Sequence, residues 1–165
     1  MDIFYLILIS IMSFLLLREL YFLVSSGKRI IKLGKNRLVY ILYLIMLIMW
    51  LIFLFFNIKG YLNYNNDTSY YKHYIEEILS NVFWIEFLIL NLIKSFIVSE
   101  IRENGLYIDS NFYKWSKVQS YIWTSSNTIQ FKVKPPFRAS TKYDFIIKED
   151  LKSKVDETVQ KHIHL

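Results

Sequence analysis

The chain contains no cysteine, two prolines and four glycines. Without thiols there is no disulfide framework, thiolate metal site, thiol nucleophile or lipidated N-terminal cysteine. The sparse glycines form no phosphate-binding loop, and neither a nucleophile elbow nor a paired-histidine motif with a helical glutamate is present. The serines stand in no Ser-His-Asp arrangement. His162 and His164 are two apart, so a helix would point them about 200° away from each other. These absences argue against an enzyme and imply no cofactor and no metal. Acidic residues are also missing from one stretch: residues 25–37, SSGKRIIKLGKNR, hold Lys28, Arg29, Lys32, Lys35 and Arg37 and no carboxylate.

What is present is apolar. The composition is 54% hydrophobic and 18% aromatic, with a mean hydropathy of +0.27. The apolar residues are gathered into long runs, which indicates a membrane protein. Residues 38–58, LVYILYLIMLIMWLIFLFFNI, carry no charge, and as a helix rising about 1.5 Å per residue they span a hydrocarbon core of about 30 Å. Fifteen of these side chains are Leu, Ile, Val or Phe, each favouring insertion by about 0.3 to 0.6 kcal/mol. The basic stretch just before this run is expected to be cytoplasmic by the positive-inside rule. Those charges account for much of the formal net charge of +6, and orientation with attraction to anionic lipid explains them better than nucleic acid, for which no stacking motif or recognition helix is present.

Residues 3–24 form a first run. Asp2 leads it and bulky residues continue to its end, unlike a cleaved signal peptide. Arg18 and Glu19 stand near its cytoplasmic end, where long side chains reach toward headgroups. After the second run, residues 59–77 are rich in Asn and Tyr and weakly charged, and are expected as an extracellular loop with its tyrosines at the interface. The third run, residues 78–98, carries Glu86 and Lys94. Its fourteen Leu, Ile, Val and Phe residues contribute about −6 kcal/mol, and two central charges would cost about 2.5 to 3.5 kcal/mol each, so insertion alone is close to balanced. Glu86, Asn91, Lys94 and Ser95 fall within one half of the helix, which is expected to face inward. Counting depth from the outer ends, Lys94 meets Glu19. Glu86 has Ser10, Ser13 and Trp50 as its polar neighbours; it is either an ion or proton site or a residue of the outer interface.

From residue 99 the composition changes to mixed charge and alternation. Asn104-Gly105 between alternating runs signals a hairpin. VQSYIWTS, TIQFKVK and TKYDFIIK read as further strands, with Pro135-Pro136 as a break. EDLKSKVDETVQKHI places Leu151, Val155, Val159 and Ile163 at helical spacing. The expected module is an antiparallel sheet of about five strands closed by one helix. Trp115 and Trp123 are expected in its core. Lys114, Lys117, Lys132, Lys134, Arg138 and Lys142 form a candidate face toward anionic inner-leaflet lipid or a partner. Glu100, Glu103, Asp109 and Asp144 support the alternative of an ordinary solvated surface.

The order Glu103-Asn104-Gly105-Leu106, Tyr113-Lys114-Trp115-Ser116-Lys117-Val118 and Ser120-Tyr121-Ile122-Trp123 resembles small bacterial multi-span membrane proteins with a C-terminal pleckstrin-homology-like domain, themselves largely uncharacterised. The resemblance covers roughly residues 101–163 and implies a terminal helix packed on the sheet. The expected architecture is therefore an α-helical membrane bundle over residues 1–98, with the N-terminus outside, and a cytoplasmic α+β pleckstrin-homology-like module over residues 99–165. Two functions stay open. One is a non-enzymatic multi-pass scaffold of the cell membrane whose module engages inner-leaflet lipid or a membrane-protein partner, with self-immunity against a membrane-active peptide as one form. The other is a homo-oligomeric channel or transporter using the polar face of the third span.

Overall fold

The computed structural model describes residues 2–32, 37–63, 68–97, 99–135 and 139–163. The chain divides into two compact units, residues 1–21 with 36–96 and residues 22–35 with 97–165.

The first unit is helical. It contains most of α1 (Asp2–Ser25), all of α2 (Arg37–Leu62) and all of α3 (Thr68–Phe96). Among the described residues these three helices are long and apolar enough to cross a membrane. None of the most apolar stretch of α2 is buried, and only 11% and 22% of those of α1 and α3 are, so their apolar side chains point outward. A helix apolar all round needs a surrounding that is not water. α2 and α3 run antiparallel, joined by an aromatic ladder. Tyr61 lies by Tyr71 with ring centroids 5.3 Å apart, Trp50 stacks on Trp84 at 5.6 Å, and Tyr40 meets Phe96 at 6.0 Å. Gly60 admits the ring of Tyr74; a Cβ there would stand 2.6 Å from Cε1.

α3 starts at Thr68, ten residues before the apolar run. The stretch expected as a loop is helical on both sides of residues 64–67, because Tyr71 and Tyr74 pack on Tyr61 and Gly60 across the hairpin. Apolar content alone locates the part of a helix that lipid would cover, not its ends.

The second unit holds two antiparallel sheets and a helix. One sheet is ordered β1 (Arg29–Lys32), β2 (Glu100–Arg102), β3 (Gly105–Ile108), β4 (Asn111–Lys114); the other is β5 (Val118–Trp123), β6 (Thr128–Val133), β7 (Thr141–Ile146). The closing helix α4 is Lys152–His162. The described residues thus contain seven strands rather than about five, and the extra pairing begins in the basic stretch expected to be only a loop. There Ile31 pairs with Ile101 across the sheet and is 3% exposed. A contact between segments seventy residues apart leaves no local signal.

The hairpin at Asn104-Gly105 forms, but its two-residue turn is Glu103-Asn104, since Arg102 pairs with Gly105. Gly105 is needed for close approach, because a Cβ would collide with the Tyr113 carbonyl of β4. The turn with both central residues at positive φ is instead Asp109 (47°) and Ser110 (65°), between β3 and β4, the geometry whose twist suits a two-residue hairpin. The core gathers Ile31, Ile101, Leu106, Phe131 and Phe145 from the sheets with Val155, Val159 and Ile163 of the closing segment. Trp115 joins it, and its indole N–H donates to the Glu103 carbonyl at 2.8 Å. Trp123 is half-buried: it packs against this core and donates its indole N–H to Asp156 at 2.7 Å, tying β5 to α4.

Candidate functional site

In the first unit, Glu19 is 7% exposed and lies between two cations. Arg18 approaches its Oε1 at 3.0 Å and Lys94 Nζ at 3.9 Å, so the structure brings together the pair that depth counting matched. Glu86 accepts a 2.6 Å hydrogen bond from the Ser13 hydroxyl, one of the three neighbours named from sequence. Its Oε2 is buried without a hydrogen-bond partner among the described residues. Asn81, missed by the sequence reading, is 1% exposed with its Nδ2 in the same condition. Asn91 bonds to its own helix through the Phe87 carbonyl at 2.7 Å.

In the second unit, sheet register places the lysines. Core residues alternate with outward ones, so Ile129, Phe131 and Val133 point in while Gln130 and Lys132 point out. Lys132 pairs directly with Lys142, and Ser120 with Lys132, which makes one cross-strand row on the outer face of the three-stranded sheet. Lys134 follows at the next outward position, and its N–H donates to the Lys117 carbonyl at 2.9 Å. Lys117, Lys132, Lys134 and Lys142 therefore share one end of this sheet. All four side chains are exposed, and among the described residues no carboxylate lies within 4.0 Å of them as an ion-pair partner. Like charges directly opposite on a sheet oppose its stability. Lys114 is exposed three residues before Lys117, at the other end of the short turn Trp115–Lys117. Arg138 lies outside the described residues.

The polar network of this unit centres on Glu100, which sequence offered only as a solvated acid, and Arg102. The Glu100 side chain is 1% exposed. Arg102 holds its Oε2 with two N–H groups at 3.0 and 2.8 Å, while Arg29 and Lys32 reach Oε1 at 3.4 and 3.9 Å. The Arg102 guanidinium also donates to the Ser26 hydroxyl at 2.8 Å and to the Leu23 and Gly27 carbonyls at 3.3 and 3.4 Å. It thereby satisfies acceptors that end α1, where a cation also opposes the negative end of the helix dipole. The local signal was available in Glu100-Ile101-Arg102: with Ile101 in the core, its neighbours share the other face. What covers that face was not legible.

Residues 97–164 match a family described as Domain of unknown function (DUF5673). The matched range is β2 through α4, without β1 and the three long helices. No curated protein matches the chain, and no solved structure does.

Proposed function

We propose that this chain is a non-enzymatic, multi-pass protein of the cell membrane whose cytoplasmic module engages the anionic headgroups of the inner leaflet. The observation that carries the reading is the lysine end of the three-stranded sheet: Lys132 and Lys142 face each other beside Lys117 and Lys134, with no ion-pair carboxylate among the described residues. A sheet that sets like charges opposite each other gains stability when an external anion lies across them. Each basic residue near an anionic leaflet adds about 1 kcal/mol.

Three features support the setting. The outward apolar surface of α1, α2 and α3 suits lipid. The basic segment between α1 and α2 favours a cytoplasmic position for that end of both helices, hence an N-terminus outside. Only three residues separate Phe96, the end of α3, from Glu100, the start of β2, so the module stays within reach of the leaflet. A four-stranded and a three-stranded antiparallel sheet followed by a helix are also the parts of a pleckstrin-homology-like module, which supports that finer assignment, with β1 supplied from between α1 and α2.

The test is amine footprinting of the full chain in nanodiscs. With phosphatidylglycerol present, Lys117, Lys132, Lys134 and Lys142 should acylate more slowly than in phosphatidylcholine alone, while Lys154 and Lys161 on α4 keep their rates. Equal rates in both lipids would refute the reading.

A second reading, transport along the polar side of α3, rests on two buried polar atoms without a hydrogen-bond partner among the described residues, Glu86 Oε2 and Asn81 Nδ2. Replacing Glu86 and Lys94 by Leu would abolish ion flux in liposomes under this reading and leave the lysine footprint unchanged under the first.

A further inference from the structure

The outer face of the β5–β7 sheet carries more than lysine. Of the large apolar side chains exposed in the second unit beyond α1, two belong to this unit's sheets, Ile122 (55%) and Ile146 (75%). Register puts both on the lysine face. Ile122 pairs with Gln130 and Gln130 with Asp144, while Thr128 pairs with Ile146. The one carboxylate in these rows, Asp144, accepts a 2.8 Å hydrogen bond from Gln130 Nε2. Ile146 lies four residues beyond Lys142 on the same side of β7, a separation of about 13 Å at 3.3 Å per residue.

Position supplies a second observation. Ile146 lines a cleft of about 340 Å³ with Ser99 and Asp109. Ser99 stands three residues past the last residue of α3. Three residues of chain thus tie the cleft that Ile146 lines to the end of the third apolar helix.

We infer that Ile146, with Ile122 on the same face across β6, is an apolar anchor that enters the headgroup region of the bilayer when the lysine row docks. The occupant of this face is the lipid surface: lysines meet phosphates, and the isoleucines leave water for the acyl boundary. This inference rests on the proposed lipid-binding reading and adds the depth and orientation of the module.

The full chain has no cysteine, so a fluorophore on Thr128→Cys reports uniquely on the neighbour of Ile146. In proteoliposomes containing phosphatidylglycerol, a quencher placed shallowly on lipid chains should quench this label, and a label on Gln160→Cys of α4 should be spared. Ile146→Asn should lower the docked-to-undocked ratio about tenfold and relieve the quenching. Quenching that persists unchanged in Ile146→Asn, or that is absent while the lysine footprint still responds to phosphatidylglycerol, would overturn the anchor and leave the lipid reading standing. Quenching that is equally strong in phosphatidylcholine and lost in Ile146→Asn would support the anchor and refute dependence on anionic lipid. Energy transfer between labelled copies without lipid quenching would assign the face to a second copy and overturn the anchor.

Discussion

Replacing Glu100 by Gln keeps the shape of the side chain and removes its charge. Three cations then converge on a neutral amide, and Arg102, whose side chain is 12% exposed, loses the carboxylate that offsets its burial. Removing one partner of a buried ion pair costs about 3 to 5 kcal/mol. Arg29 is half exposed, and water recovers much of its share, so the lower part of that range, about 3 kcal/mol, is expected. The loss should be concentrated in the β1–β2 pairing and the end of α1, because Arg102 joins them through Ser26, Leu23 and Gly27. Hydrogen exchange of the full chain in detergent reads this segment by segment. Amides of β1 and β2 should exchange roughly a hundredfold faster, and those of α2 should not change. Glu103→Gln is the control: that carboxylate is exposed and, among the described residues, accepts the Lys28 backbone N–H at 3.0 Å, so an effect of about 1 kcal/mol or less is expected. Exchange in β1 and β2 within threefold of the native rate in Glu100→Gln would refute the claim that this carboxylate holds β1 to the sheet.

Gly105→Ala should cost about 3 kcal/mol or more, since its Cβ meets the Tyr113 backbone and neither strand can yield; thermal unfolding followed by Trp115 fluorescence measures it. Ser110→Gly should stabilise the β3–β4 hairpin by about 1 kcal/mol, because Ser110 holds φ at 65° where glycine carries no steric penalty; urea midpoints at constant slope would show it. Gly60→Leu should loosen α2 from α3 by about 1 to 3 kcal/mol through displacement of Tyr74, read as increased cleavage within residues 59–77 during brief proteolysis in detergent. Glu19→Gln should leave Arg18 and Lys94 without their shared carboxylate and lower the stability of the helical unit, whereas Glu19→Gln combined with Lys94→Met should recover part of the loss.

Local pattern revealed much of this architecture. Long apolar runs located the three helices, alternation located β5, β6 and β7, and the spacing of Val155, Val159 and Ile163 located α4. Counting residues from the outer ends matched Lys94 to Glu19, because parallel helices with equal rise keep depth in register. What stayed hidden depends on distant segments. Ile30 and Ile31 sit within a basic run, and only their partner β2, far along the chain, makes them a strand. Glu100 reads as a surface acid until Arg102, Arg29 and Lys32 close around it. Asp109-Ser110 lacks glycine, so the turn that needs positive φ carried a weaker signal than Asn104-Gly105, where the glycine serves close packing. The lysines were visible as residues, but their shared edge required the β5–β6–β7 register.

Cysteine accessibility in intact cells tests the central claim most directly, and the absence of native cysteine makes each label unambiguous. Asn63→Cys follows α2 and is exposed; Ser116→Cys is exposed in the turn before β5. A membrane-impermeant maleimide should label Asn63→Cys in intact cells and Ser116→Cys only after permeabilisation. Labelling of Ser116→Cys from outside would place the lysine-bearing module away from the inner leaflet and contradict the account.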